Sequence, residues 1–242
     1  MMRKKRGYKR DTEVALLRDY KLFAIACEGG KREPGYFSVF KYASGRVSVD
    51  IIEDIISNHE MKSKHELKSA PRWVLDRAVK YIEKEGLSEE DDLWFVMDKD
   101  NWSELQLREI ERYCKERPNW HLVLSNPCFE VWLYFHKRKD FKKSAAKKCD
   151  EFKFEISTFQ KEGYHPFTFV PQLMNAITNA KAADSDANHF MPALKETKVY
   201  QLGESLMKFI GKNDFDDFVN RKIPLLIEEE KRKIRNSRTE KK

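Results

Sequence analysis

A small set of acidic residues stands where a chain of this pattern would do chemistry. Glu28 directly follows the apolar run KLFAIAC and precedes Gly29 and Gly30, while Asp98 directly follows LWFVM and Asp100 lies two residues on. Glu130 comes soon after a further apolar run, within SNPCFE. If those runs are strands of one parallel sheet, these carboxylates gather at the edge where the carboxyl ends of strands open a ligand crevice. An extended exit also aims Asp98 and Asp100 to the same side, because strand side chains two apart share a face. Gathered carboxylates repel one another unless a cation sits between them, and hard oxygen donors select Mg²⁺ or Mn²⁺. Such an ion, bound to a phosphate, activates water and stabilises the leaving oxygen of an in-line displacement.

Taken singly, each residue also has a plain structural reading. A D-x-D pair is a common solvated strand exit, and Glu28-Gly29-Gly30 an ordinary strand-to-helix turn. Glu33, near a helix start, complements the helix dipole by a small amount. The order and placement of the set carry the functional reading.

The elements that must position these acids follow from periodicity. Residues 21–27 read as a fully buried strand closed by two glycines. The next segment reads as a helix with Pro34 in its first turn and Tyr36, Phe37 and Phe40 at helical spacing. VSVDIIE, residues 47–53, alternates and is rich in β-branched residues, so it predicts a second strand. Residues 66–86 carry Leu67, Val74, Leu75, Ala78, Val79 and Ile82 at helical intervals, with Gly86 as the stop. A third strand is predicted over 93–97, and a helix capped by Ser103 runs to about residue 116. A fourth strand is predicted over 120–124. Ser125 or Asn126 is expected to cap the helix that follows, with Pro127 in its first turn. Strands alternating with helices predict an α/β fold with a parallel-dominated sheet flanked by helices. The rest reads as mostly helical, in pieces at 142–148, 171–184 and 194–210. Three segments result: a basic arm at 1–20, a core at 21–140, and a mainly helical extension with a charged tail at 141–242.

Bulk properties bound the function classes. The chain has 242 residues with 40% hydrophobic, enough for a real core, and 36% charged, well above the ~25% of an average globular chain. A formal net charge of +7 favours a polyanionic partner, since phosphate contacts release condensed counterions. No apolar run approaches the ~18 residues of a membrane helix, and no apolar segment of a secretory signal follows the basic start, so a cytoplasmic location is expected. The four cysteines are widely spaced without a CxxC pair, which supports neither structural zinc nor a disulfide framework. Cys27 and Cys128 are expected in the core. The six histidines form no HxxxH motif, and His136 reads as a helix-end histidine rather than a general base. The lysines of 142–148 and the tail 231–242 read as solvated faces that could also track a phosphate backbone.

Three strings then carry a resemblance. CEGGKREPGYF, FVMDKDNW and LSNPCFEVWLYFH occur in the order and α/β context of the RloB-like family, which is associated with bacterial restriction and abortive-infection loci and related to the Toprim fold. The third string is the most specific to that family, whereas the first two are shared more broadly with Toprim nucleases. KETKVYQLGESL, residues 195–206, looks like the family's threonine-containing C-terminal segment. The resemblance implies a Toprim-like core in which Glu28 binds metal or acts as acid/base and Asp98 and Asp100 hold metal. By similarity to OLD-type nucleases, Glu33 matches a second acid for a second ion, with Glu130 as a second-site ligand or a supporting residue. Lys31 and Arg32 lie where they would neutralise a phosphate, and Asn101 where it would hold a metal-bound water. The implied activity is Mg²⁺-dependent (or Mn²⁺-dependent) cleavage of DNA or RNA in anti-phage defence. The alternative is an interaction module that depends on a partner ATPase from the same locus. No GxxxxGK[ST] string is present, so the chain carries no P-loop of its own.

Overall fold

A computed structural model describes residues 19–52, 70–100, 102–140, 143–161 and 163–239. One sheet organises them, with strand order β2-β1-β3-β4-β5. Its strands are β1 (Lys21–Cys27), β2 (Val47–Ile51), β3 (Asp92–Asp98), β4 (Trp120–Asn126) and β5 (Glu196–Thr197). The pairs β1–β2, β1–β3 and β3–β4 are parallel, and β5 joins the edge of β4 antiparallel. The predicted α/β class with a parallel-dominated sheet is the observed one.

The unbroken apolar character of β1 and β3 has a direct cause. Phe23, Ile25, Cys27, Trp94 and Val96 pack into one core, and Ala24, Ala26, Leu93, Phe95 and Met97 into another on the opposite face. A strand covered on both faces loses the alternation of a half-exposed one. The first core also takes residues of α1 (Arg32–Ser38), α4 (Glu130–Lys137), α5 (Cys149–Phe159), α7 (Leu173–Ala183) and α8 (Val199–Ile210). The second takes α2 (Pro71–Glu85) and α3 (Glu104–Lys115). Between α5 and α7 comes the short α6 (Pro166–Phe169); α9 (Lys212–Asp217) and α10 (Ile223–Thr239) end the described chain. Among the described residues no helix is long and apolar enough to cross a membrane.

Several local signals act as read. Gly86 ends α2 with φ +77, a conformation that favours glycine. Ser103 caps α3 in a box with Gln106, each side chain accepting the other's backbone N–H. Other expectations are corrected. Ser125 and Asn126 do not cap α4: they are the last residues of β4, paired with Thr197 and Glu196. The peptide Asn126–Pro127 is cis, Pro127 lies ahead of the helix, and Phe129 holds the cap position. Residues 144–148 are not helical, since α5 begins at Cys149. The predicted helix at 194–210 starts only at Val199, because Glu196 and Thr197 complete the sheet. Predicted residues 53 and 66–69, and the arm up to residue 18, lie outside the described residues.

β5 is fastened by polar contacts that are themselves buried. The hydroxyls of Ser125 and Thr197 meet at 2.8 Å. Lys198 donates to both Asp184 oxygens at 2.6 and 2.7 Å and to the Asp186 carbonyl at 2.6 Å, and Tyr200 donates to Asp184 as well. The Lys198 and Asp184 side chains are 2% and 1% exposed, so removing one partner strands a charge in the interior. Lys198→Ala is therefore expected to cost about 3–5 kcal/mol in urea denaturation. The double change with Asp184→Ala should recover part of that loss.

Candidate metal centre

Topology brings the first two acids together. In the order β2-β1-β3-β4-β5 the chain leaves β1 toward one side for β2 and returns to the other side for β3. The crevice therefore opens at the carboxyl ends of β1 and β3. Glu28 is the first residue beyond β1 and Asp98 the last of β3. The ladder continues to the edge of the site, where the Glu28 N–H donates to the Val96 carbonyl at 3.0 Å.

Glu28 is held by two donors. Its Oε2 accepts the Asp98 backbone N–H at 2.9 Å, and its Oε1 accepts the Trp102 indole N–H at 2.8 Å. The α3 cap at Ser103 fixes where Trp102 enters, and the Trp102 N–H in turn reaches the Lys99 carbonyl. The D-x-D turn is tied to the end of β4 as well. Lys99 N–H donates to the Ser125 and Pro127 carbonyls, and Asp100 N–H to Pro127.

Glu33 arrives from the other side, buried in the first turn of α1. Its carboxylate sits so close to Gly29 that a Cβ there would lie within 2.6 Å of Oε1 and nearer still to Oε2. Glycine at position 29 thus lets the Glu33 carboxylate approach, and any larger residue would displace it. Asp100 is exposed and accepts the Cys149 S–H at 3.3 Å.

The electrostatics follow from this crowding. Burial pushes the Glu28 carboxyl up to about 7, and Asp100 and Glu33 add to the rise, while the Asp98 and Trp102 donors oppose it. Asp98 is raised well above the usual carboxylate range by burial first and then by Glu33, Glu28, Asp100 and Cys149. Burial also raises Glu33, against Arg32 and Lys153, whose charges pull it down. Glu33 and Asp100 thus both act on Glu28 and Asp98.

Glu130 stands apart from them. It is buried at the start of α4 with its carboxylate ion-paired to Arg32. Lys31 is exposed at the cap of α1. Asn101 lies outside the described residues. His136 is a core group: its Nε2 meets the Tyr36 hydroxyl at 2.8 Å and its Nδ1 the Trp132 carbonyl at 2.9 Å. Burial lowers it to about 3, so it is neutral at physiological pH, donating at Nδ1 and accepting at Nε2. Sequence reasoning passed over Trp102 although it ends the string FVMDKDNW, and no spacing rule pointed to Cys149 or Lys153.

By kind, the donors suit a hard divalent ion. Four carboxylates supply oxygens, and their mutual repulsion is what such a charge relieves. By position they are open: among the described residues no three His, Cys, Asp or Glu side chains form a ready cage for an ion. Glu28 in particular is turned toward Asp98 and Trp102.

The family model described as RloB-like protein matches residues 23–206. No curated protein and no solved structure matches the chain.

Two substitutions test this geometry. An acid raised in the folded state costs stability once it ionises. The cost is absent below its unfolded value near ~3.9, grows as pH rises toward the folded value, and persists above it. Asp98→Asn is therefore expected to raise the metal-free melting temperature at pH 8 by roughly 3–6 °C, and to change it little at pH 4. Gly29→Ala is expected to cost about 1–3 kcal/mol in denaturant unfolding, with most of that recovered in Gly29→Ala/Glu33→Ala.

Proposed function

The chain belongs to the RloB-like protein family, and we propose that it is a Mg²⁺-dependent nuclease of the Toprim type, cutting nucleic-acid phosphodiesters in bacterial anti-phage defence. One observation carries the reading. Glu28 holds a carboxyl poised at about 7, fixed by two N–H donors, beside a group of mutually repelling acids at the sheet's switch point.

Asp98 and Asp100, with Glu33 across the crevice, would hold the ion, and Mn²⁺ would be accepted by the same oxygens. When bound, the ion supplies positive charge to the phosphoryl oxygens and lowers the pKa of a water. Glu28 then handles protons. A carboxyl fixed beside the ion's ligands suits removing a proton from the attacking water or returning one to the leaving oxygen. The two donors that hold Glu28 fix its orientation, and orientation is a large share of what a proton-transfer group contributes. Glu130 would act through Arg32 as a positioning residue, since its carboxylate is committed to that guanidinium.

The deciding measurement is cleavage of plasmid, linear DNA and tRNA with and without Mg²⁺, using Asp98→Ala and Glu28→Ala as controls. Each substitution is expected to lower the rate by at least ~10²-fold, the usual scale for a positioned proton-transfer group, and EDTA should abolish cleavage. Cleavage that survives both substitutions would overturn the assignment.

A further inference from the structure

A polyanion that approaches four carboxylates needs compensating charge, and the cleft between α1, α4 and α5 supplies it. A cavity of about 140 Å³ opens there, lined among others by Arg32, Glu130, Lys153, Gln160 and Tyr164. We propose that this cavity seats a backbone phosphate of the bound strand, with Lys153 and Arg32 as its two cationic contacts.

The inference rests on the nuclease reading for the ligand's identity and on three observations for the place. First, Arg32 is preorganised. The buried Glu130 carboxylate holds Nη1, the Tyr164 hydroxyl donates to the Arg32 carbonyl at 2.8 Å, and the guanidinium lies 5.9 Å from the Tyr164 ring centroid. A guanidinium has five N–H donors, so one held carboxylate leaves others for a phosphate. Second, Lys153 has a partner it can exchange. Its ammonium meets Asp150 at 3.1 Å, but the two side chains are 44% and 94% exposed. Such an exposed pair holds weakly and gives way to a phosphate. Third, Arg32 immediately precedes Glu33 in the first turn of α1, and Lys153 lines the same cavity as Arg32. A phosphate seated there lies beside the turn of α1 that carries Glu33.

The size of the cavity fits the ligand class. About 140 Å³ accommodates a phosphate group and is well below the ~300 Å³ at which pockets for whole small molecules begin. The seat therefore reads the backbone, which DNA and RNA share, and carries no base recognition.

The test separates this seat from the chemistry by measuring binding in EDTA. Fluorescence anisotropy of labelled 20-nucleotide DNA and RNA, single-stranded and duplex, is followed over a salt series with the full chain, Lys153→Ala, Lys153→Arg and Lys181→Ala. Lys153→Ala is expected to weaken binding several-fold on every probe that binds and to lower the salt slope by about one unit. Lys153→Arg should restore both, and Lys181→Ala, a lysine paired with Glu204 and outside the seat, should leave both near wild type. Equal affinity and slope for Lys153→Ala and wild type would overturn the seat, as would failure of the wild-type chain to bind any probe. Loss of binding in Lys153→Ala alongside a wild-type chain that binds without cutting in Mg²⁺ would keep the seat and overturn the nuclease reading.

Discussion

Two strands that depart from a parallel sheet in opposite directions must part at their carboxyl ends, and in this chain both parting strands lead into an acid. Glu28 after β1 and Asp98 at the end of β3 are thereby held as neighbours in a half-buried crevice. The like charges cannot separate without breaking the β1–β3 ladder, which continues up to the Glu28 N–H. Much of the surrounding structure answers that constraint. The Asp98 N–H and the Trp102 indole stabilise the Glu28 charge, Gly29 makes room for Glu33, and the Pro127 carbonyl anchors the D-x-D turn.

Such an arrangement costs stability. Burial and mutual repulsion raise Glu28 and Asp98 together, so the chain folds around a site that is unfavourable when fully ionised. Under the proposed function a divalent ion would relieve that cost. The cations are distributed to match. Arg32 and Lys153 line a cavity between α1, α4 and α5, and the Arg32–Glu130 pair orients a charge that would otherwise be free to turn outward.

The C-terminal residues are bound into this scaffold through β5 and the first core. β5 pairs with Ser125 and Asn126 at the same end of the sheet as the acids. The buried Lys198–Asp184 pair then fastens the start of α8 directly behind it. The D-x-D turn, the β4 exit and β5 therefore share one rigid corner, and α5 brings Cys149 and Lys153 to the site from beyond the fourth helix.

The sequence by itself determined the four parallel strands, most of the helices and the order of the acids, because these are set by local periodicity. The runs at 21–27 and 93–97 read as buried strands, and Ser103 and Gly86 punctuate helices through their own backbone chemistry. Where the reading failed, a contact distant in sequence prevailed. Ser125 and Asn126 look like a helix cap, yet they join β5 some 70 residues away, and Glu196 and Thr197 leave a helical pattern for the same reason. Glu28, Asp98 and Asp100 were legible as a set because each sits at or just beyond a strand end. That Trp102 would hold Glu28, that Glu130 would turn to Arg32, and that Lys153 would share a cavity with Arg32 was decided only by tertiary structure. Side-chain partnership depends on how elements pack across space, and periodicity along the chain does not encode it.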